Sequence, residues 1–192
     1  LNLNYGNYRF HDHQNLAHYA NAACDIEFDF PIGFKELEGI HSRTNYDLSQ
    51  HQEFSKKKLM YFDSELNKSY VPYVVETSVG LDRLFLSVIC GSFVQEKVDK
   101  EERIVLKLPP NLSPVCAAIL PLTKKDGLSD KARNIFNDLK SKFPCYYEEK
   151  DSIGKRYRRQ DAIGTPICIT IDHETLKENT VTVRDRDTMK QE

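Results

Sequence analysis

Val75-Glu76-Thr77-Ser78-Val79-Gly80-Leu81-Asp82-Arg83-Leu84-Phe85 decides the reading of this chain, because it sets a carboxylate, a hydroxyl, a glycine and an arginine where a strand gives way to a helix. The preceding Tyr70-Val71-Pro72-Tyr73-Val74-Val75 is aromatic and β-branched, so it reads as a strand that ends at Glu76, with Pro72 arguing against full enclosure in a ladder. After Gly80, Leu81, Leu84, Phe85, Val88 and Ile89 recur at helical spacing. Arg83 falls roughly opposite the centre of that stripe and need not enter the same core. The chemistry is that of a site able to hold an amine and a nucleotide phosphate together. For Ser78 and Arg83 alone, a helix cap and a solvated charge are the simpler assignment.

Two features argue for more. Glu76 is a carboxylate that a buried strand end does not need. In Phe34-Lys35-Glu36-Leu37-Glu38-Gly39-Ile40, strand alternation puts Phe34, Glu36, Glu38 and Ile40 on one face and Leu37 on the other. Two carboxylates on such a face are costly unless a cation pairs with them.

With the blocks Glu36-Leu37-Glu38-Gly39-Ile40-His41-Ser42-Arg43-Thr44-Asn45-Tyr46-Asp47-Leu48 and Glu76 to Arg83, the sequence resembles the second half of the catalytic domain of glycyl-tRNA synthetases, class II enzymes of the homodimeric single-chain type. Glu76 to Arg83 is then motif 3. Tyr8 to His13, Leu16 to Ala20 and Asp25 to Glu27 match upstream, and Thr180 to Met189 matches near the end. The resemblance implies a partial antiparallel-sheet catalytic domain followed by a three-layer α/β anticodon-binding domain.

By that resemblance Glu76, Thr77, Ser78, Val79 and Gly80 form the glycine site, with Glu76 and Ser78 on the ammonium group. A site for an amino acid with no side chain selects by exclusion and by charged hydrogen bonds to the amine. Glu36, Leu37, Gly80, Leu81, Asp82 and Arg83 correspond to the ATP contacts. Arg83, a rigid fork suited to phosphate, and Glu36, holding Mg2+ between phosphates, are the expected catalytic pair. The implied substrates are ATP with its Mg2+, glycine and tRNA(Gly), with neither zinc nor an organic cofactor.

Motifs 1 and 2 of the family are not found, and no Phe-Arg-x-Glu pattern occurs. Since the chain also opens without Met, it reads as the C-terminal part of a longer protein or an engineered piece, and on its own it is expected to be inactive. The complete protein is expected to be a homodimer.

A length of 192 residues allows two modest domains. The net charge of -2 is too small to advertise nucleic acid, so RNA contacts must be local. No apolar run approaches the ~20 residues of a membrane span. Cys24, Cys90, Cys116, Cys145 and Cys168 are odd in number and form no C-x-x-C, which reads as reduced core residues of a cytoplasmic protein. His11 and His13 lack an evident third ligand and are read as ordinary histidines.

Along the chain the pattern predicts a helix over 14–23, a strand over 25–30 with Ile26, Phe28 and Phe30 on one face, a turn at 31–33 and a strand over 58–62. The expected organisation is a catalytic part over 1–95, a linker over 96–102 that lacks apolar periodicity, and an anticodon-binding domain over 103–192. In the last, apolar runs at 115–120 and 167–171 read as strands covered on both faces. Helices near 129–143 and 154–161 and a short strand at Tyr146-Tyr147 complete a mainly parallel α/β order, and Thr180 to Arg184 adds a strand with Val181 and Val183 inward. Lys155, Arg156, Arg158 and Arg159 beside Tyr157 give a basic patch with a ring for stacking, the candidate RNA-binding residues, although such a cluster is more often a solvated helix face. The competing reading is a non-catalytic synthetase-like accessory subunit that binds nucleic acid; a P-loop or dinucleotide fold is set aside because neither glycine motif occurs.

Overall fold

The computed structural model describes residues 5–98 and 101–192, and the chain divides into two compact units, one running to Gly91 and the other from Ser92.

In the first unit the elements are β1 (Tyr8–Asp12), β2 (Ala22–Phe30), β3 (Gly33–Ser42), α1 (Tyr46–Ser55), β4 (Tyr61–Asp63), β5 (Lys68–Tyr70), β6 (Val75–Val79) and α2 (Leu81–Ser92). β1, β2, β3 and β6 form an antiparallel sheet in that order, and β4 pairs with β5 as a hairpin. Phe28, Phe30 and Leu37 form the core on one sheet face, packed by Tyr8 and by Leu84 and Cys90 of α2. Gly33 turns the chain from β2 to β3 at φ 88°, a conformation that favours glycine.

Several expectations change here. No helix forms over 14–23; β1 ends at Asp12, and residues 13–21 loop into β2, whose register (Tyr8↔Phe28 to Asp12↔Cys24) makes the two strands a pair. Tertiary strand pairing overrides the local helical spacing. The strand before the decisive stretch is also later than expected, since Glu76 and Ser78 lie inside β6 and Gly80 separates them from α2. Of the expected apolar stripe, Leu81 and Phe85 are 78% and 67% exposed, whereas Ser87 is buried and donates to the Leu84 carbonyl at 2.8 Å.

The second unit starts with β7 (Phe93–Val98) and β8 (Glu101–Leu106), then has β9 (Ala117–Pro121), α3 (Leu128–Leu139), β10 (Cys145–Tyr147), α4 (Ile153–Ile163), β11 (Ile167–Ile171), α5 (His173–Glu178) and β12 (Thr182–Asp185). The sheet order is β10-β9-β11-β12, parallel except for β12. β9 is buried along its whole length, as its apolar run requires. Ile119, Leu128, Ala132 and Ile171 close one core beneath α3, and Ala118, Leu120 and Cys168 close another beneath α4.

Residues 99–100 of the expected linker lie outside the described residues, and the rest of it is an antiparallel hairpin, Phe93↔Leu106 to Val98↔Glu101. Its inward positions escaped an apolar search because two are charged: Arg103 is fully buried, donating to Asp161 at 2.9 Å and to Glu96 and the Arg186 carbonyl. The Glu96 carboxyl is held below its usual range, chiefly by that Arg103 bond. In β12 the prediction is inverted: Val181 and Val183 are exposed, and Arg184 is the buried residue, gripping Asp161 at 2.8 and 3.1 Å.

Candidate functional site

The face of the first sheet away from Leu84 and Cys90 is polar, and cross-strand register builds it row by row. Arg9 stands opposite Glu27 and Glu27 opposite Glu36; His11 opposite Asp25, Asp25 opposite Gly39 and Gly39 opposite Ser78; His41 opposite Glu76. Paired antiparallel residues share a face, so these side chains lie on one side. A register shift between Ile26 and Glu27 leaves Leu37 as an extra residue in β3. That bulge corrects the simple alternation: Glu36 shares a face with Gly39 and His41, Leu37 turns into the core, and Glu38 falls opposite Ile26.

The buried carboxylates of this face are paired. Glu27 accepts from Arg9 Nε at 2.5 Å and lies 3.2 Å from His11 Nδ1; the Arg9 bond holds its carboxyl below the usual range. His13 Nε2 is 2.8 Å from Asp25 Oδ2, and the His11 and His13 rings stack at 5.5 Å. Among the described residues no three His, Cys, Asp or Glu side chains are grouped to hold a metal ion. At the other end, Arg43 bridges Asp47, at 2.5 and 3.0 Å, to Glu76 Oε2 at 2.7 Å, and its guanidinium lies 4.1 Å over the Tyr19 ring. Asp47, then Glu76, hold that guanidinium protonated beyond its ordinary value.

A cavity of about 510 Å3 opens between β3 and α2, lined by Glu36, Leu37, Ser78, Gly80, Leu81, Asp82 and Arg83. Arg83 Nη1 donates to the Glu36 carbonyl at 2.7 Å and lies 3.4 Å from Glu36 Oε2; both side chains are about half exposed. The structure thus brings together all the expected ATP-contacting residues. Of the expected glycine-binding set, Ser78 and Gly80 line this cavity and Glu76 shares the polar face, while Thr77 and Val79 point to the opposite face, leaving only their backbone available. Arg43, Arg9, Asp25 and Glu27 were not singled out from sequence. The signals were there: Arg9, His11 and His13 alternate, as do Asp25 and Glu27, and Arg43 and Asp47 stand four apart.

In the second unit the basic patch divides. Lys155 and Arg158 line a cavity of about 450 Å3 with Glu101, Ser152, Gly154, Tyr157, Arg184, Met189 and Gln191. Arg156 is a correction: it is 2% exposed, and its guanidinium holds the carbonyls of Pro121, Leu122 and Glu148. Arg159 is committed to Glu148 and Asp151. Tyr157 is not a free stacking ring either, since it packs on the core, its hydroxyl 2.5 Å from Thr170 Oγ1 and its face under Arg184.

The anticodon binding domain family matches residues 117–192. Over 95% of its length the chain is 53% identical to a glycine--tRNA ligase of Chlorobaculum tepidum, covering 39% of that protein. Over 94% it is 51% identical to the one from Treponema denticola, and over its full length 51% identical to the one from Staphylococcus haemolyticus, covering 42% of each. The chain therefore spans about two fifths of the length of the curated relatives it matches. A solved prolyl-tRNA synthetase of Giardia lamblia, in complex with prolyl-adenylate, superposes with a TM-score of 0.59 over 91% of this chain and 34% of its own; at 21% identity that likeness bears on the fold alone. The fold is that of a partial class II synthetase sheet followed by an anticodon-binding α/β domain, and over nearly its whole length the chain is similar to a segment making up about two fifths of the glycine--tRNA ligases it matches.

Proposed function

We propose that the protein containing this segment attaches glycine to tRNA(Gly) in two steps, as a cytoplasmic homodimer. The glycine carboxylate attacks the α-phosphate of ATP, giving glycyl-adenylate and pyrophosphate; the terminal ribose hydroxyl of the tRNA then takes the glycyl group. What supports this reading is a carboxylate and a hydroxyl of β6, Glu76 and Ser78, on one sheet face, beside a cavity that Ser78 lines together with Glu36 and the guanidinium of Arg83. Glu76, aligned by Arg43 through Oε2, keeps Oε1 for an ammonium group, with Ser78 beside it in β6. Arg83 offers its remaining guanidinium donors to phosphate oxygens from the rim of the cavity that Ser78 also lines. Catalysis here is positioning and charge neutralisation, and no protein nucleophile is required.

Mg2+ would arrive with ATP. The half-exposed Glu36 carboxylate, with Asp82 on the same cavity, fits an ion held by one or two carboxylates plus substrate phosphates. Such an ion would neutralise phosphate charge and Arg83 would orient the same phosphates, while the Arg83–Glu36 contact positions the carboxylate. In the second unit, Lys155 and Arg158 are the cations best placed for RNA. Five free cysteines accord with a reducing compartment.

The test is glycine-dependent ATP–pyrophosphate exchange by the full-length protein, beside Glu76→Ala and this 192-residue segment. Exchange by the full-length parent alone, lost in Glu76→Ala, is the expected result. A folded full-length protein without exchange would sink the reading in favour of a non-catalytic nucleic-acid-binding subunit.

A further inference from the structure

A carboxylate that is to hold an ammonium group should not already be neutralised, yet Glu76 Oε2 accepts from Arg43 Nη1 at 2.7 Å. A guanidinium at that distance cancels much of the carboxylate's pull on a second cation and repels an amine brought beside it. Asp47 changes that balance. It takes the other edge of the same guanidinium, accepting from Nε at 2.5 Å and from Nη2 at 3.0 Å, the bidentate geometry in which arginine and carboxylate bind best. The Arg43 bond in turn holds the Asp47 carboxyl below its usual range. Two carboxylates and one guanidinium leave one net negative charge, and the bonds decide where it lies. Both Asp47 oxygens are engaged by Arg43, whereas Glu76 Oε1 has no partner among the described residues.

Asp47 sits in the first turn of α1, four residues after Arg43, and α1 buries none of its residues. Anchoring that turn is the role the ion pair would have without a ligand. The Arg43 fork, however, links α1 to β6, and the Tyr19 ring 4.1 Å from its face fixes the plane in which it does so. We infer that Asp47 is a positioning residue for the amine-binding end: it absorbs the charge of Arg43, so that Arg43 aligns Glu76 without neutralising it and Oε1 stays anionic toward the glycine ammonium. This rests on the function proposed above and gives a role to a residue outside its expected contacts.

The experiment is ATP–pyrophosphate exchange by full-length Asp47→Asn, Asp47→Glu and Asp47→Asn/Arg43→Gln, with KM for glycine and for ATP measured separately and thermal unfolding alongside. Asp47→Asn keeps the shape and loses the charge, leaving Arg43 to Glu76 alone; the expected result is a glycine KM raised about tenfold, with ATP KM within about threefold of the parent. Asp47→Glu restores the charge and should bring glycine KM back to within about threefold of the parent. Removing the uncompensated cation in Asp47→Asn/Arg43→Gln, which keeps an amide donor for Oε2, should lower glycine KM below that of Asp47→Asn. A mere helix anchor predicts a double variant no better than the single one, and loss of folded protein lowers kcat rather than raising glycine KM. A glycine KM unmoved by Asp47→Asn, raised equally by Asp47→Asn and Asp47→Glu, or not lowered in the double variant overturns the inference. A parent without glycine-dependent exchange overturns the functional reading and this inference with it.

Discussion

Replacing Asp161 with alanine tests how the second unit is held together. Asp161 is fully buried and accepts three charged hydrogen bonds, from Arg103 Nε at 2.9 Å and from Arg184 Nη1 and Nη2 at 2.8 and 3.1 Å. Three such bonds at ~1.5–3 kcal/mol each set a gross upper limit, but they share one acceptor and are not additive. The decisive term is what remains: two buried guanidiniums, on β8 and β12, facing each other without their common anion. Breaking a buried pair in this way costs about 3–5 kcal/mol. For a unit of about 100 residues that is a fall in unfolding midpoint of roughly 15–30 °C. Glu96, itself partly exposed, also bonds Arg103 but does not reach Arg184, so it compensates only in part. Differential scanning calorimetry of the 192-residue chain reads the effect directly, as one transition moving while the other stays. A shift below about 5 °C would refute the claim that this carboxylate neutralises both arginines.

Arg83→Lys in the full-length protein keeps the charge but loses the planar fork; ATP KM in pyrophosphate exchange should rise about tenfold while glycine KM moves far less. Lys155→Gln with Arg158→Gln should weaken tRNA binding and reduce the salt slope by about one to two, whereas Arg156→Gln should lower thermal stability instead, because that guanidinium holds three carbonyls inside the unit. Burial pushes the Cys168 thiol up to about 12. The neutral thiol is therefore the form the fold favours, so its contribution is fully present below the unfolded thiol value and is lost as pH rises from about 9 to 12. Native protein at pH 8 should leave Cys168 unlabelled by a thiol reagent until denaturant is added.

Legibility followed the source of each element's stability. Elements that bury their own apolar pattern were readable: β9, α3 and β11 sit where continuous runs or helical spacing put them, and β2 runs through the Ile26, Phe28, Phe30 alternation. Elements fixed by partners elsewhere in the chain were not. The 14–23 stretch has helical spacing, yet the pairing of β1 with β2 makes it a connecting loop and the start of β2. Residues 96–102 read as a polar linker because the buried residue that anchors their hairpin, Arg103, is a charge that only the distant Asp161 explains. The same reason misled the reading of the RNA patch: Arg156 looks like its neighbours in sequence, and only the carbonyls of β9 and of the segment after β10 show that it is internal. The residues lining the β3–α2 cavity were legible as a group because β6, Gly80 and the first turn of α2 are contiguous, so one local motif shapes most of the cavity.

What locates ligand chemistry on the first sheet is the difference between charges that are satisfied and charges that are not. A polar sheet face is expensive unless its rows neutralise one another. Toward β1 the Glu27 row does, with Arg9 and His11 on that carboxylate, while His13 Nε2 lies 2.8 Å from Asp25 Oδ2. Toward β6 the pairing is incomplete. Among the described residues Arg43 engages only one oxygen of Glu76, Arg83 uses only Nη1, and the Glu36 carboxylate has that single long contact of 3.4 Å. These groups stay partly exposed and keep donors and acceptors available, at the place where Gly80 separates β6 from α2. The bulge at Leu37 completes the arrangement, because without the extra residue Glu36 would point into the apolar core and Leu37 onto the polar face. One inserted residue in β3 therefore separates the core from the site, and both ends of the proposed reaction, amine and phosphate, depend on it.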